Sequence, residues 1–120
     1  MDRGDFERIR HMKRYCEDIV AAINRFGNSY ETFSQDTDYY NSVSMSIMQI
    51  GEISVSLSNE FKDATHTQMP WGLMKGMRNH FVHSYTAMDR SDIWETAIKD
   101  IPNLLCFCEE VIEKTRDRDL

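Results

Sequence analysis

The sequence predicts an all-α protein, an antiparallel up-and-down bundle of four to five helices forming one domain over residues 1–120. Three observations lead there. Apolar residues recur at steps of three and four in four separate segments, as one buried face of a helix requires. No stretch alternates polar and apolar residues in the manner of a half-buried strand. Short polar stretches join the segments, and short joints place neighbouring helices antiparallel. The 41% hydrophobic and 28% charged residues, with 5 Gly and 2 Pro, are the balance of a folded chain, and its length suits one core rather than two.

The first long helix is expected from Asp5 to Phe26, with Ile9, Met12, Cys16, Ile19, Ile23 and Phe26 on one face and Gly27 as its stop. Tyr30 to Asp36 suits one short helical turn around Phe33, the optional fifth helix. A second long helix is expected from Asp38 to Phe61 on Tyr40, Val43, Ile47, Ile50, Leu57 and Phe61. Gly51 and Ser54 interrupt that stripe; small residues there either admit another backbone or are simply tolerated. Lys62 to Gln68 reads as a loop, and Pro70 suits the first turn of a third helix with Leu73, Met77 and Phe81 as its apolar spine. After a polar break at Thr86 to Arg90, Asp89 or Ser91 can cap a last helix lined by Trp94, Ala97, Ile98, Ile101, Leu105, Cys108 and Ile112. Pro102 should bend it, and a charged tail, Lys114 to Asp119, should follow.

Met45, Met48, Met74 and Met77 read as adaptable core filler, with a self-association face as the alternative. Cys16, Cys106 and Cys108, odd in number and set in apolar helical patterns, are expected to be reduced, buried and without a chemical role. No apolar run approaches membrane-spanning length and the N-terminus is too polar for a signal peptide, so a cytoplasmic protein with no membrane partner is expected.

The net charge of −6 argues against broad affinity for DNA or RNA, because such binding needs many cations to displace phosphate counterions. Any nucleic-acid contact should be local. Between Asp63 and Asp89 there is no Asp or Glu, while His66, Lys75, Arg78, His80 and His83 all fall inside that gap. Burial of a central helix would also remove acids, but it should remove unpaired cations as well.

Arg78, His83 and Tyr85 are the residues in this gap on which chemistry can be built. On an ideal helix Arg78 and Tyr85 share a face, whereas His83 is displaced from Arg78 by roughly 140°. The two could converge if the helix relaxes near its end, or if two copies pack their third helices across a cleft. Arg offers a planar fork for phosphate oxygens, and His can both accept and donate a proton near neutrality. Together they suit cleavage of RNA through its 2′-hydroxyl, with Lys75, Asn79 and His80 as further RNA or phosphate contacts. No metal and no cofactor is expected, since the carboxylate pairs of a two-metal nuclease are missing from the whole stretch. Three plainer readings stand beside this one: a helix-terminal histidine at His83, a surface salt bridge at Arg78, and a rim aromatic at Tyr85. A metal site from His66, His80 and His83 is a fourth, weakly signalled because no carboxylate or Cys accompanies them at ligand spacing.

The string Arg78-x4-His83-x-Tyr85, preceded by Pro70-Trp71 and Gly76-Met77-Arg78-Asn79, closely resembles the Arg-x4-His-x-Tyr signature of HepT-like proteins, a branch of the HEPN superfamily. The likeness extends to Gly51-Glu52 and to Asp92-Ile93-Trp94, and so covers most of the chain. It implies a helical bundle that forms a homodimer, with a metal-independent ribonuclease site of Arg78 and His83 at the dimer cleft. It further implies the toxin half of a type VII-like toxin–antitoxin pair. Its partner would be a minimal nucleotidyltransferase antitoxin that transfers AMP from ATP to Tyr85. The alternative is a non-catalytic scaffold of the same fold that binds a nucleotide or a nucleotidyltransferase.

Overall fold

The computed structural model describes residues 1–117, which form an up-and-down helical bundle. Arg118 and Asp119 of the expected charged tail lie outside the described residues. Helix α1 spans Arg3–Phe26, and the Asp2 side chain caps it by accepting from the Asp5 N–H. Gly27 ends it with φ of +110°, a conformation that costs a residue without a Cβ little. The hydroxyl of Tyr39 donates to the Gly27 carbonyl at 2.9 Å and ties this stop to the next long helix. Helix α2, Tyr30–Gln35, is the expected short one, and it buries Phe33 completely.

Helix α3 spans Thr37–Ser56, shorter than its apolar pattern suggests. Leu57 turns into extended backbone, and Ser58 begins a separate helix α4, Asn59–Ala64, by accepting from the Phe61 N–H. The break has a tertiary cause. Asp5 of α1 is 2% exposed, and its carboxylate accepts from both the Ser58 N–H and the Ser58 hydroxyl. A carboxylate buried at that point needs such donors, and a helix running straight through Ser58 would have spent the N–H internally. The loop expected from Lys62 therefore starts later, after Ala64.

Helix α5 spans Trp71–Ser84, and its first residue is fixed by a 2.9 Å hydrogen bond from the indole N–H to the Thr65 hydroxyl. A 3-10 turn over Tyr85–Ala87 leads to α6, Arg90–Glu95, which Asp89 caps by accepting from the Ser91 N–H. A wider π turn, Thr96–Asp100, joins α6 to α7, Ile101–Asp117. The perturbation expected at Pro102 is found there: proline has no N–H to give and crowds the preceding turn, and a π turn makes room. The wider turn also shifts the buried face, so Ile98 is exposed while Leu104 and Phe107 are buried.

Helix α1 packs against α3 and α7, α3 packs against α5, and α2 lies on α3 and α6. Ile9, Met12, Ile19, Val43, Ile93 and Cys108 are fully buried, and each such aliphatic side chain contributes about 1.5–3 kcal/mol. Phe33, Tyr39 and Trp94 close one end of the core with ring centroids 5.1–6.1 Å apart. Met48, Met74 and Met77 pack against the core as expected, but Met45 is 56% exposed. Cys106 is exposed as well, on the outer side of α7, whereas Cys16 and Cys108 are buried. Among the described residues no helix is long and apolar enough to cross a membrane.

Candidate active site

Helix α5 meets α3 at the two small residues that interrupt the α3 stripe. A Cβ placed on Gly51 would lie 2.9 Å from the Cβ of Arg78 and 3.4 Å from its Cα, so only glycine admits α5 this closely. Ser54 is buried beside it and returns its hydroxyl to the Gly51 carbonyl at 2.7 Å, which keeps the trough narrow and satisfied. Arg78 is thereby drawn to the α3 side of α5. The inward residues of α5 are Trp71, Met74, Met77, Arg78 and Phe81, followed by Tyr85 in the next turn, whereas Leu73, read from sequence as core, is 76% exposed.

The Arg78 guanidinium is held on three sides. Nε donates to Glu52 Oε1 at 2.8 Å, Nη2 donates to Glu52 Oε2 at 3.4 Å, and Nη1 donates to Asn79 Oδ1 at 3.0 Å. The stretch that is free of acid along the chain is thus not free of acid in space. Glu52, noticed in the sequence only as part of a family string, is a partner of Arg78 that spacing within α5 could not reveal. The pair is partly open to solvent, 30% for Arg78 and 45% for Glu52 by side chain, which places its worth for stability near 0–1 kcal/mol, a rough figure for exposed pairs.

Tyr85 is anchored by its ring and open at its hydroxyl. It stacks on Phe81 at 5.8 Å and on Tyr40 at 6.2 Å, and its hydroxyl donates a long 3.4 Å hydrogen bond to Asn41 Oδ1 at the surface. The guanidinium of Arg90 lies 3.9 Å from the centroid of the Tyr40 ring and donates to the Ser34 carbonyl, so the stack is backed by a fixed cation. Burial, with Tyr85 beside it, raises the Tyr40 hydroxyl above its ordinary pKa and keeps it neutral.

His83 is exposed, as are His80 and Lys75, while Asn79 is engaged with Arg78. Helix α5 holds through His83, and the backbone leaves helical geometry only at Ser84, with φ −146° and ψ 30°, too late to swing His83 round to Arg78. Arg78 and Tyr85 face α3 and His83 faces solvent, with Val82, 51% exposed, and Leu73, 76% exposed, at opposite edges of that outer face. Gly72 and Gly76 lie on α5 with nothing near the position of a Cβ. A cavity of about 430 Å³ opens between α3, α5 and α7, lined by Ile50, Met74, Met77, Arg78, Asp100 and Leu104 among others. His66 contacts the Asp63 carbonyl instead of joining His80 and His83, and the described residues contain no group of three or more metal-ligating side chains.

Residues 8–111 match the family model described as Ribonuclease HepT-like. A relative from Caldanaerobacter subterraneus subsp. tengcongensis, which carries the name Putative RNase, is 31% identical over 108 residues, covering 90% of this chain and 94% of its own. A second, from Thermococcus cleftensis and named Probable ribonuclease HepT, is 34% identical over 100 residues, covering 79% of this chain and 90% of its own. A third, from Methanocaldococcus jannaschii and also carrying the name Putative RNase, is 28% identical over 103 residues, covering 86% of this chain and 83% of its own. No solved structure matches the chain.

Proposed function

The chain belongs to the HepT-like ribonuclease family, and from that premise we propose that it is the toxin of a type VII-like toxin–antitoxin pair, cleaving RNA without a metal ion. Arg78 holds the scissile phosphate and His83 handles protons. The 2′-oxygen loses its proton to a histidine and bonds to phosphorus as the bond to the 5′-oxygen breaks, and the leaving oxygen takes up a proton. Arg78 stabilises the charge that builds on the phosphoryl oxygens in between.

The observation that carries this reading is the division of labour on α5. Arg78 is oriented against α3 by Glu52, while His83 projects into solvent from a different side of the same helix. A homodimer that pairs the exposed faces of two α5 helices would bring two histidines and two arginines to one cleft, enough for a base, an acid and a clamp. The bare Gly72 and Gly76 positions, on the same side of α5 as His83, support such a pairing. Lys75 and His80, exposed on the same helix, would meet the RNA backbone on either side, and Asn79 would steady Arg78.

Tyr85 is the off switch in this reading. Its hydroxyl is reachable while its ring is held, so a nucleotidyltransferase partner can place AMP on it without unfolding α5. The added phosphate then competes for the cation that RNA needs. The test is RNA cleavage by the purified protein in EDTA. Wild type should cut; His83→Ala and Arg78→Ala should each lose roughly 10²–10⁴-fold with helical content unchanged. Tyr85→Phe should keep most activity yet gain no AMP mass when co-expressed with the neighbouring nucleotidyltransferase. Cleavage that vanished in EDTA and returned with zinc would refute the metal-free mechanism. Wild type that bound RNA or nucleotide but cut nothing would favour the scaffold.

A further inference from the structure

We propose that Glu52 is the positioning residue of the Arg78 clamp, fixing one edge of the guanidinium so that its remaining N–H groups are presented to an RNA phosphate. The inference rests on the ribonuclease reading and deepens it. A guanidinium carries five N–H donors in a rigid plane. Glu52 takes one from Nε and one from Nη2, and Asn79 takes one from Nη1. One N–H on each Nη is left without a partner among the described residues, the number that a phosphate accepts in a two-pronged contact.

Two neighbouring residues of α3 set both coordinates of the arginine. Gly51 draws in its stem, with an added Cβ only 2.9 Å from Arg78 Cβ, and Glu52 then fixes the plane of its head. An unrestrained arginine would lose its side-chain freedom on meeting the phosphate; one held beforehand has already lost it, and its dipoles need no reorganisation in the transition state. The half-open setting of the ion pair gives it little to contribute to stability, so orientation is the property that it supplies. The rival role is a latch: a carboxylate that occupies the arginine and must leave before RNA binds. The two roles predict opposite signs.

The experiment compares full-length Glu52→Ala, Glu52→Gln and Glu52→Asp with wild type on a defined RNA oligonucleotide, measuring kcat, KM and Tm. Positioning predicts that Glu52→Ala lowers kcat roughly 10- to 100-fold with a smaller change in KM and little change in Tm. Glu52→Gln should recover part of the loss, because its amide oxygen still accepts from Nε. The Nε–H resonance of Arg78, assigned by its loss in Arg78→Lys, should be sharp in wild type and Glu52→Gln and shifted or broadened in Glu52→Ala, with or without substrate. Faster cleavage or tighter RNA binding by Glu52→Ala would make Glu52 a latch, and unchanged kcat with an unchanged Nε–H signal would remove its role; either result overturns the proposal. Wild type that cleaves no RNA overturns the ribonuclease reading instead, and the resonance still reports whether Glu52 holds Arg78.

Discussion

Gly51 and Arg78 touch where α3 and α5 meet, closely enough that a methyl group on the glycine would overlap the arginine stem at 2.9 Å. The nearest atoms belong to the Arg78 backbone and to the base of its side chain, not to a flexible tip, so Gly51→Ala must shift α5 itself. Overpacking of this kind costs about 1–3 kcal/mol. Circular dichroism should show the helices retained and a lowered Tm, and RNA cleavage should fall more than the folded fraction does. Cleavage equal to wild type per folded molecule would mean that the close approach has no bearing on the site.

If Arg78 and His83 of different copies share one cleft, inactive variants should rescue one another. An equimolar mixture of Arg78→Ala and His83→Ala, allowed to exchange subunits, forms mixed dimers as about half of its population. Each mixed dimer keeps one Arg78 and one His83, a clamp and one of the two proton-transfer groups, whereas each parent dimer lacks one kind of residue altogether. Cleavage should rise well above that of either variant alone, and a mixture no better than its components would count against a composite site.

Leu73 provides the matching test of assembly. At 76% exposure, on the lip of the cavity beside α5, Leu73 has little buried surface to lose, so Leu73→Asp should leave Tm nearly unchanged. At the edge of the proposed pairing face it should weaken the dimer by at least tenfold in Kd, because association would then strip water from an unpaired carboxylate on each copy. Sedimentation across a concentration series reads this directly, and identical dissociation constants would exclude the face.

The cysteines divide by burial. Burial is the main cause that raises the Cys16 thiol far above its ordinary range and pushes Cys108 up to about 12 from an ordinary value of 9.0. An aromatic disulfide reagent at pH 8 should therefore titrate Cys106 quickly and the other two only after denaturation. The sign of the linkage follows. The folded chain keeps these protons where the unfolded chain gives them up, so stability is unaffected below about pH 9 and falls as pH rises from there toward 12. Rapid reaction of all three thiols in the native protein would contradict the buried placement.

The long helices and the short one at Phe33 were legible because each carries a periodic apolar face and a recognisable cap or stop. The sequence left Gly51 and Ser54 open between a close approach and mere tolerance, and the contact of Gly51 with Arg78 decides for the close approach. The break at Leu57 was not legible. It depends on Asp5, which is distant in sequence, supplying a buried acceptor for Ser58, and no local pattern encodes that. The spine expected on α5 holds at Met77 and Phe81 and fails at Leu73 for a related reason: Gly51 opens a slot in which Arg78 faces inward, and that leaves Leu73 76% exposed. That Arg78 and Tyr85 share a side while His83 points elsewhere followed from spacing alone. The Glu52 contact, made across two helices, required the fold.

Helix α5, which carries Arg78 and His83 and leads into Tyr85, is also lightly rooted. It buries only Trp71 and Phe81, against seven residues in α1 and nine in α3, and a cavity of about 430 Å³ lies along its inner side. No side chain caps its start, and its two glycines each cost about 1 kcal/mol of helix propensity relative to alanine. Local opening of such a segment takes less free energy than global unfolding, so the amide protons of α5 should exchange with solvent while those of α1 and α3 remain protected. Anything that covers its outer face gains binding energy only after paying for that looseness, and in return holds the helix closed.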